Sequence, residues 1–401
     1  MAMVQFGGDL IMKKWLYFMT VLLILIVFAA CDGDDNTQNL APIPEQQETL
    51  YIQGEESYDN ADIYNDLEAS HYTNNTYFER IDLDRINFSD MVFPAETPHG
   101  HIGHWYVSHI STYLPSRVAF TYRELDAALW LKEMLYAKGF DEYQVGLQTF
   151  SYEDISDFED FWETRFGWEI PGLYDIQQMG WTDGHEIRNY SQNVIVTMPG
   201  QSTQTIIIGA HYDSLRYPGA SDNASGTALL MESAQRMLAN DNYYTLVFVF
   251  FGAHEIGMFG GLYFYNSLTI EERENIVLFI QADVLIEGPY LAFSAGYNLQ
   301  LNPNAVSSQI DTIAQSIYEA YEINISHHPI FGSEQQLFLY KGHTVLAFWG
   351  VDPSYFTNFL HTERDCYEYI SAKFPGMIER NMSAFALFLE TILLEGNLEP
   401  V

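Results

Sequence analysis

Four continuous apolar runs constrain this chain more than any other feature of its sequence. Residues 205–209, 245–251, 276–280 and 344–349 are dominated by Val, Ile, Leu and Phe. Each is too short to span a bilayer, and the absence of polar alternation marks strands covered on both faces. Helical patterns lie between and beside them, at 224–238, 305–321 and 377–394. A further helix is expected over 121–138, where Leu125, Ala128, Leu129, Leu131 and Leu135 form a stripe and Gly139 supplies a stop. Strands are also expected around 144–150 and at 193–198, the latter ending at Pro199 and Gly200. Such alternation predicts an α/β fold, a single domain with a central mixed β-sheet flanked by helices. The acidic, aromatic stretch 153–189 reads as an insertion whose Trp and Tyr residues either rim a cleft or pack the loop itself.

The N-terminal region predicts export. Lys13 and Lys14 precede an apolar run over residues 15–30, shorter than the ~20 residues of a comfortable membrane span. Positive flank and short apolar stretch together form a signal peptide, and translation starting at Met12 would place the lysine pair directly at its head. The run closes Phe28, Ala29, Ala30, Cys31, which resembles the lipobox of bacterial lipoproteins and makes Cys31 a lipidation site; an uncleaved anchor is the other reading. Either places the remainder outside the cytoplasm, at a bacterial cell membrane or envelope. No Lys or Arg follows until Arg80, as an exported flank requires. The expected organisation is a signal segment at 1–31, an acidic flexible spacer at 32–75, and a folded domain at 76–398.

Charge excludes one class of partner. Asp and Glu number 54 against 17 Lys and Arg, a formal charge of -37, which repels nucleic acid. The excess suits solubility outside the cell, and equally suits attraction of cations or substrates with a free amine. Two cysteines exclude a disulfide framework, and Cys366 reads as a small buried hydrophobe.

Strand ends repeatedly carry metal-ligand residue types. His211 closes the first apolar run, with Asp213 placed to orient its imidazole. Asp222 precedes a helix start, His254 and Glu255 follow the second run, Asp283 follows the third, and His361 opens the last segment. Singly, each reads as a cap or an ordinary polar residue. Together they offer the nitrogen and oxygen donors of a catalytic zinc site. His99, His101, His104 and His109 form a second, glycine-spaced cluster with chelating potential.

Across residues 108–394 the sequence resembles the co-catalytic two-zinc aminopeptidase family, which also holds glutaminyl cyclases and transferrin-receptor-like peptidases. The resemblance is carried by Ala210, His211, Tyr212, Asp213, Ser214 and by Ala220, Ser221, Asp222, Asn223, Ala224, Ser225, Gly226. It implies a phosphorylase/hydrolase-like domain with its metal site at the C-terminal strand ends, and peptides as substrates. It assigns one zinc to His211 and Asp283, a second to Glu255 and His361, and a bridging role to Asp222. The family places a general-base glutamate directly before the metal-binding one; here that position holds His254, an imidazole that can accept a proton. The sequence thus predicts a lipid-anchored zinc aminopeptidase, with a weak or inactive metal-binding lipoprotein as the alternative and a glutaminyl cyclase behind it, disfavoured by the intact His211 and Asp283. Where relatives carry Asp-His beside the substrate pocket, this chain has Glu334 and Gln335. Glu334 is thereby either an anchor for a substrate amine or a plain surface acid.

Overall fold

The computed structural model describes residues 96–156, 187–295, 304–328, 332–351 and 359–395, with Ile86, Phe88, Phe93 and Pro94 ahead of them. All fall in one unit, Asn74–Val401. The signal segment, Cys31, the spacer and most of the 153–189 insertion lie outside the described residues.

Eight strands form one sheet in the order β1-β2-β4-β3-β5-β8-β6-β7. They are β1 (Val145–Ser151), β2 (Tyr190–Met198), β3 (Thr205–His211), β4 (Thr245–Phe251), β5 (Ile276–Ala282), β6 (Tyr290–Ala295), β7 (Ile325–His327) and β8 (Val345–Val351). The four apolar runs become β3, β4, β5 and β8, which are adjacent and mutually parallel. β2 joins β4 antiparallel, and β6 joins β8 antiparallel. The sheet is therefore mixed, with its parallel centre ending along one line.

Besides short turns of helix at Tyr152–Ser156 and Ile270–Glu274, the helices are α1 (His101–Tyr113), α2 (Tyr122–Ala137), α3 (Ser225–Met237), α4 (Phe259–Ser267), α5 (Asn304–Tyr321), α6 (Gln335–Tyr340), α7 (Tyr367–Lys373) and α8 (Met377–Glu395). α3 packs on β3, β4 and β5, and α1 rests on α3 and α8. Residues of α4 and α6 share a cluster with Ile207, Val249, Phe251, Phe279 and Val345. Within it Phe279 and Phe338 stack at 3.8 Å. Burial of each such side chain contributes about 2–3 kcal/mol.

Local chemistry sets the helix ends. Thr121 caps α2 by accepting from the backbone N–H groups of Arg123 and Glu124. α1 has no side-chain cap of its own. Buried Glu232, reaching from α3, accepts from Gly100 N at 2.8 Å and Gly103 N at 2.6 Å. Gly100 adopts φ +80, and a Cβ there would lie 2.1 Å from Ser383 N.

The histidines around α1 do not converge. His99 pairs with Glu390, His101 with Glu379 at 3.3 Å, and His104 with Tyr367 at 2.9 Å. His109 is stacked between Trp105 and Trp130, at centroid distances of 4.5 and 5.5 Å. Burial pushes its pKa down to about 4. Separate partners, rather than a common ion, account for all four.

Candidate metal centre

The parallel strand ends bring the five expected ligands into one pocket. His211 is the last residue of β3, Asp222 lies in the Ala220–Ala224 turn that leads into α3, Glu255 follows β4, Asp283 follows β5, and His361 lies between β8 and α7. His211 Nε2 stands 3.1 Å from Asp222 Oδ1 and 3.5 Å from Asp283 Oδ1. His361 Nε2 stands 2.9 Å from Asp222 Oδ2 and 3.3 Å from Glu255 Oε2. Asp222 thus presents one oxygen to each histidine, with His211 and Asp283 on one side and Glu255 and His361 on the other.

These separations suit ligands of a metal better than partners of one another. His211 Nε2, Glu255 Oε1 and Asp283 Oδ1 are buried and have no hydrogen-bond partner, an arrangement that is costly without a cation. Two donors each ~2.1 Å from a tetrahedral ion lie about 3.4 Å apart, close to the spacings found. Burial opposes charge on His211 and His361, yet the surrounding carboxylates hold both well above the ordinary range. Asp222 is held well below its own, because the two imidazoles outweigh its burial.

Backbone placement around the pocket is unusual. Ala253, Val284 and His361 take left-handed φ values of 53, 49 and 57, which cost non-glycine residues about 1–3 kcal/mol each. Buried polar side chains hold Ala253 and Val284 there and brace the neighbouring loops. Glu124 Oε1 accepts from Ala253 N at 2.9 Å, and Asp213 accepts from His254 N and Glu255 N at 3.0 and 3.1 Å. Asn223 Oδ1 accepts from Val284 N at 3.3 Å. Asp365 accepts from Ser221 N at 2.6 Å and Asp222 N at 3.1 Å. Burial, reinforced by neighbouring carboxylates, pushes Glu124 up to about 8 and Asp365 to about 7.

Asp213 lies against His211 and also braces a second segment. The His211 Nδ1 hydrogen bond goes to the Asp213 backbone carbonyl at 3.1 Å. The carboxylate lies 3.5 Å from that nitrogen and also holds the His254-Glu255 backbone. It thereby ties the His211 imidazole to the loop that carries His254 and Glu255.

His254 lies beside the ligands, offering a nitrogen within 4.8 Å of donor atoms on His211 and Asp283. Its ring stacks on His211 at 3.8 Å with an interplanar angle of 7°. Nδ1 lies 2.7 Å from Glu334 Oε1, within hydrogen-bond distance. Glu334 is fully buried, so it is neither a surface acid nor free to hold a substrate amine. Although burial disfavours its charge, His254 holds it down at about 2. The same contact raises His254 against the effect of its own burial. Sequence reasoning gave no role to Glu124 or Asn223, because each binds backbone far away in the chain. Cys366 is buried, and burial pushes its thiol up to about 12, which leaves it unreactive.

Residues 193–386 match the model of Peptidase family M28. The "Alkaline phosphatase isozyme conversion protein" of Escherichia coli (strain K12) is 25% identical over 236 residues, covering 55% of this chain and 61% of that protein. The match thus spans about three fifths of the relative's length. Among solved structures, a zinc aminopeptidase from Bacillus subtilis superposes with a TM-score of 0.57 at 16% identity, covering 74% of this chain and 96% of that one. A Tannerella forsythia glutaminyl cyclase gives 0.53 at 16% identity, covering 74% and 98%. At these identities the likeness is one of fold.

Proposed function

From the premise that residues 193–386 belong to peptidase family M28, we propose that this protein is an exported, lipid-anchored zinc aminopeptidase. The observation that carries the reading is the convergence of His211, Asp222, Glu255, Asp283 and His361 at 2.9–3.5 Å. His211 and Asp283 would hold one zinc ion, Glu255 and His361 a second, and Asp222 both. When bound, the two ions polarise a peptide carbonyl and lower the pKa of a shared water.

The protein's own residues supply the remainder. His254 takes the proton of the attacking water and returns it to the departing amine. Asp213 and Glu124 fix the backbone that carries His254 and Glu255. His361 is 53% exposed at its side chain whereas His211 is wholly covered, so a peptide end enters from the His361 side. The surplus of carboxylates favours a free α-amine there. Acylation of Cys31 holds the enzyme at the membrane, a reading supported by the lipobox-like run before it.

A panel of aminoacyl-naphthylamides, assayed with and without chelator, tests the activity. Turnover that chelator removes and zinc restores, and that His211→Gln abolishes, is expected. A protein that binds two zinc ions yet hydrolyses no member of the panel would instead be a metal-binding lipoprotein. Conversion of an N-terminal glutamine peptide to its pyroglutamyl form would identify a cyclase.

A further inference from the structure

The His254-Glu334 contact joins two positions at which this chain departs from the pattern of the family it resembles. An imidazole can present either nitrogen as acceptor, and the partner of the other nitrogen decides which. Here Nδ1 lies 2.7 Å from Glu334 Oε1. An ionised carboxylate only accepts hydrogen bonds, so in this pair the proton resides on Nδ1 and the lone pair on Nε2.

Neither member is free to choose otherwise. Glu334 is 0% exposed, and its second oxygen accepts from Ser333 Oγ at 2.8 Å. Its aliphatic stem occupies the space beside Gly261, where a Cβ would lie 2.5 Å from Glu334 Cγ. The His254 ring is held flat against His211, and its backbone N–H is held by Asp213.

We propose that Glu334 is a positioning residue that fixes His254 in the Nδ1–H tautomer, leaving Nε2 as the proton acceptor. This rests on the reading of His254 as the base. In the reaction the O–H bond of the attacking water breaks and its proton passes to Nε2. The imidazolium so formed is stabilised by Glu334, which stays ionised. Nε2 then delivers the proton to the nitrogen of the departing amine, and neutral His254 returns in its starting tautomer. Aminopeptidase turnover at this pocket therefore depends on a side chain that touches neither metal nor substrate.

The test uses the full chain, the single variants Glu334→Gln, His254→Glu and His254→Gln, and the double variant His254→Glu/Glu334→Gln. Glu334→Gln keeps shape but removes charge, and is expected to lower kcat about 10²-fold with KM and zinc content unchanged. In a His254→Glu background the effect should change sign. Two carboxylates would then face each other in a buried space, and adding Glu334→Gln should raise kcat. A merely structural Glu334 would lower activity in both backgrounds. Histidine ¹⁵N spectra of the zinc-free wild type in alkaline buffer should show His254 as the Nδ1–H tautomer, assigned by its loss in His254→Gln. That measurement requires no change at position 334 and no activity. A wild type inactive on every substrate would refute the aminopeptidase reading while leaving the tautomer readable. The Nε2–H tautomer, full kcat in Glu334→Gln, or loss of one zinc equivalent in His254→Gln would overturn the positioning role; the last outcome would make His254 a ligand.

Discussion

Gly261→Ala should disable the pocket from a distance. Gly261 is the third residue of α4, and its missing side chain leaves the space that Glu334 fills. The added methyl would stand 2.5 Å from Glu334 Cγ, whereas carbon atoms rest at about 3.5 Å. Glu334 must therefore retreat by ~1 Å. Its bond to His254 Nδ1 starts at 2.7 Å, so that retreat takes it past the ~3.2 Å limit of an ordinary N–H···O bond. The stability cost is modest: overpacking costs about 1–3 kcal/mol, and alanine returns up to ~1 kcal/mol of helix propensity. The expected result is a kcat at least about tenfold lower, with KM and zinc content held and a shift in urea unfolding of no more than ~2 kcal/mol. Gly260→Ala supplies the contrast. Its Cβ would meet the Gly252 carbonyl oxygen at 2.3 Å, and backbone cannot retreat cheaply, so loss of stability should dominate. Undiminished kcat in Gly261→Ala would refute the reasoning, as would a further kcat loss when the change is added to His254→Gln.

Three other outcomes are expected. Stripping zinc from protein held at one hundred times its Kd should remove about 2.7 kcal/mol, which for a unit of about 300 residues lowers Tm by ~4 °C; calorimetry with chelator measures it. Glu232→Ala leaves Arg236 without its carboxylate and two α1 backbone N–H groups without an acceptor, and urea titration should show a loss of about 3–5 kcal/mol. His109 has a folded pKa of about 4 against 6.5, so as pH falls from 6.5 the unfolded chain takes up its proton first. Wild type should therefore lose stability as pH falls from 6.5 towards 4 relative to His109→Phe, whose own stability lacks this titration; parallel unfolding curves at several pH values decide it.

The parallel centre of the sheet was legible because β3, β4, β5 and β8 are buried on both faces and so carry unbroken apolar runs. The ligand types were legible for a related reason, since parallel strands deliver their ends to one edge. α1 was not. Its sequence is crowded with His, Trp and Tyr, and its N-terminal N–H groups are capped by Glu232, more than a hundred residues away. β6 and β7 escaped as well; β7 is three residues long at the sheet's edge, too short for a period to register. The contact of Asp213 with His211 followed from their adjacency, whereas its hold on the backbone about forty residues on had no sequence signal. Glu334 looked like one more surface acid in an acidic chain, and only the packing of α6 against α4 turns it inward.

Arg117 bears on how the carboxylates of the pocket can lie together. Its guanidinium is buried and donates to the backbone carbonyls of Leu114, Tyr212, Pro218 and Gly219. Burial lowers its pKa to about 10 despite Asp213, Asp365, Glu255 and Asp222, so it keeps its charge at neutral pH. A permanent cation is thus built in beneath the carboxylates before any ion arrives. Together with the protons carried by His211 and His361, it offsets the repulsion that would otherwise oppose closure of these loops. Metal binding there would displace those protons, since an imidazole coordinates only when neutral.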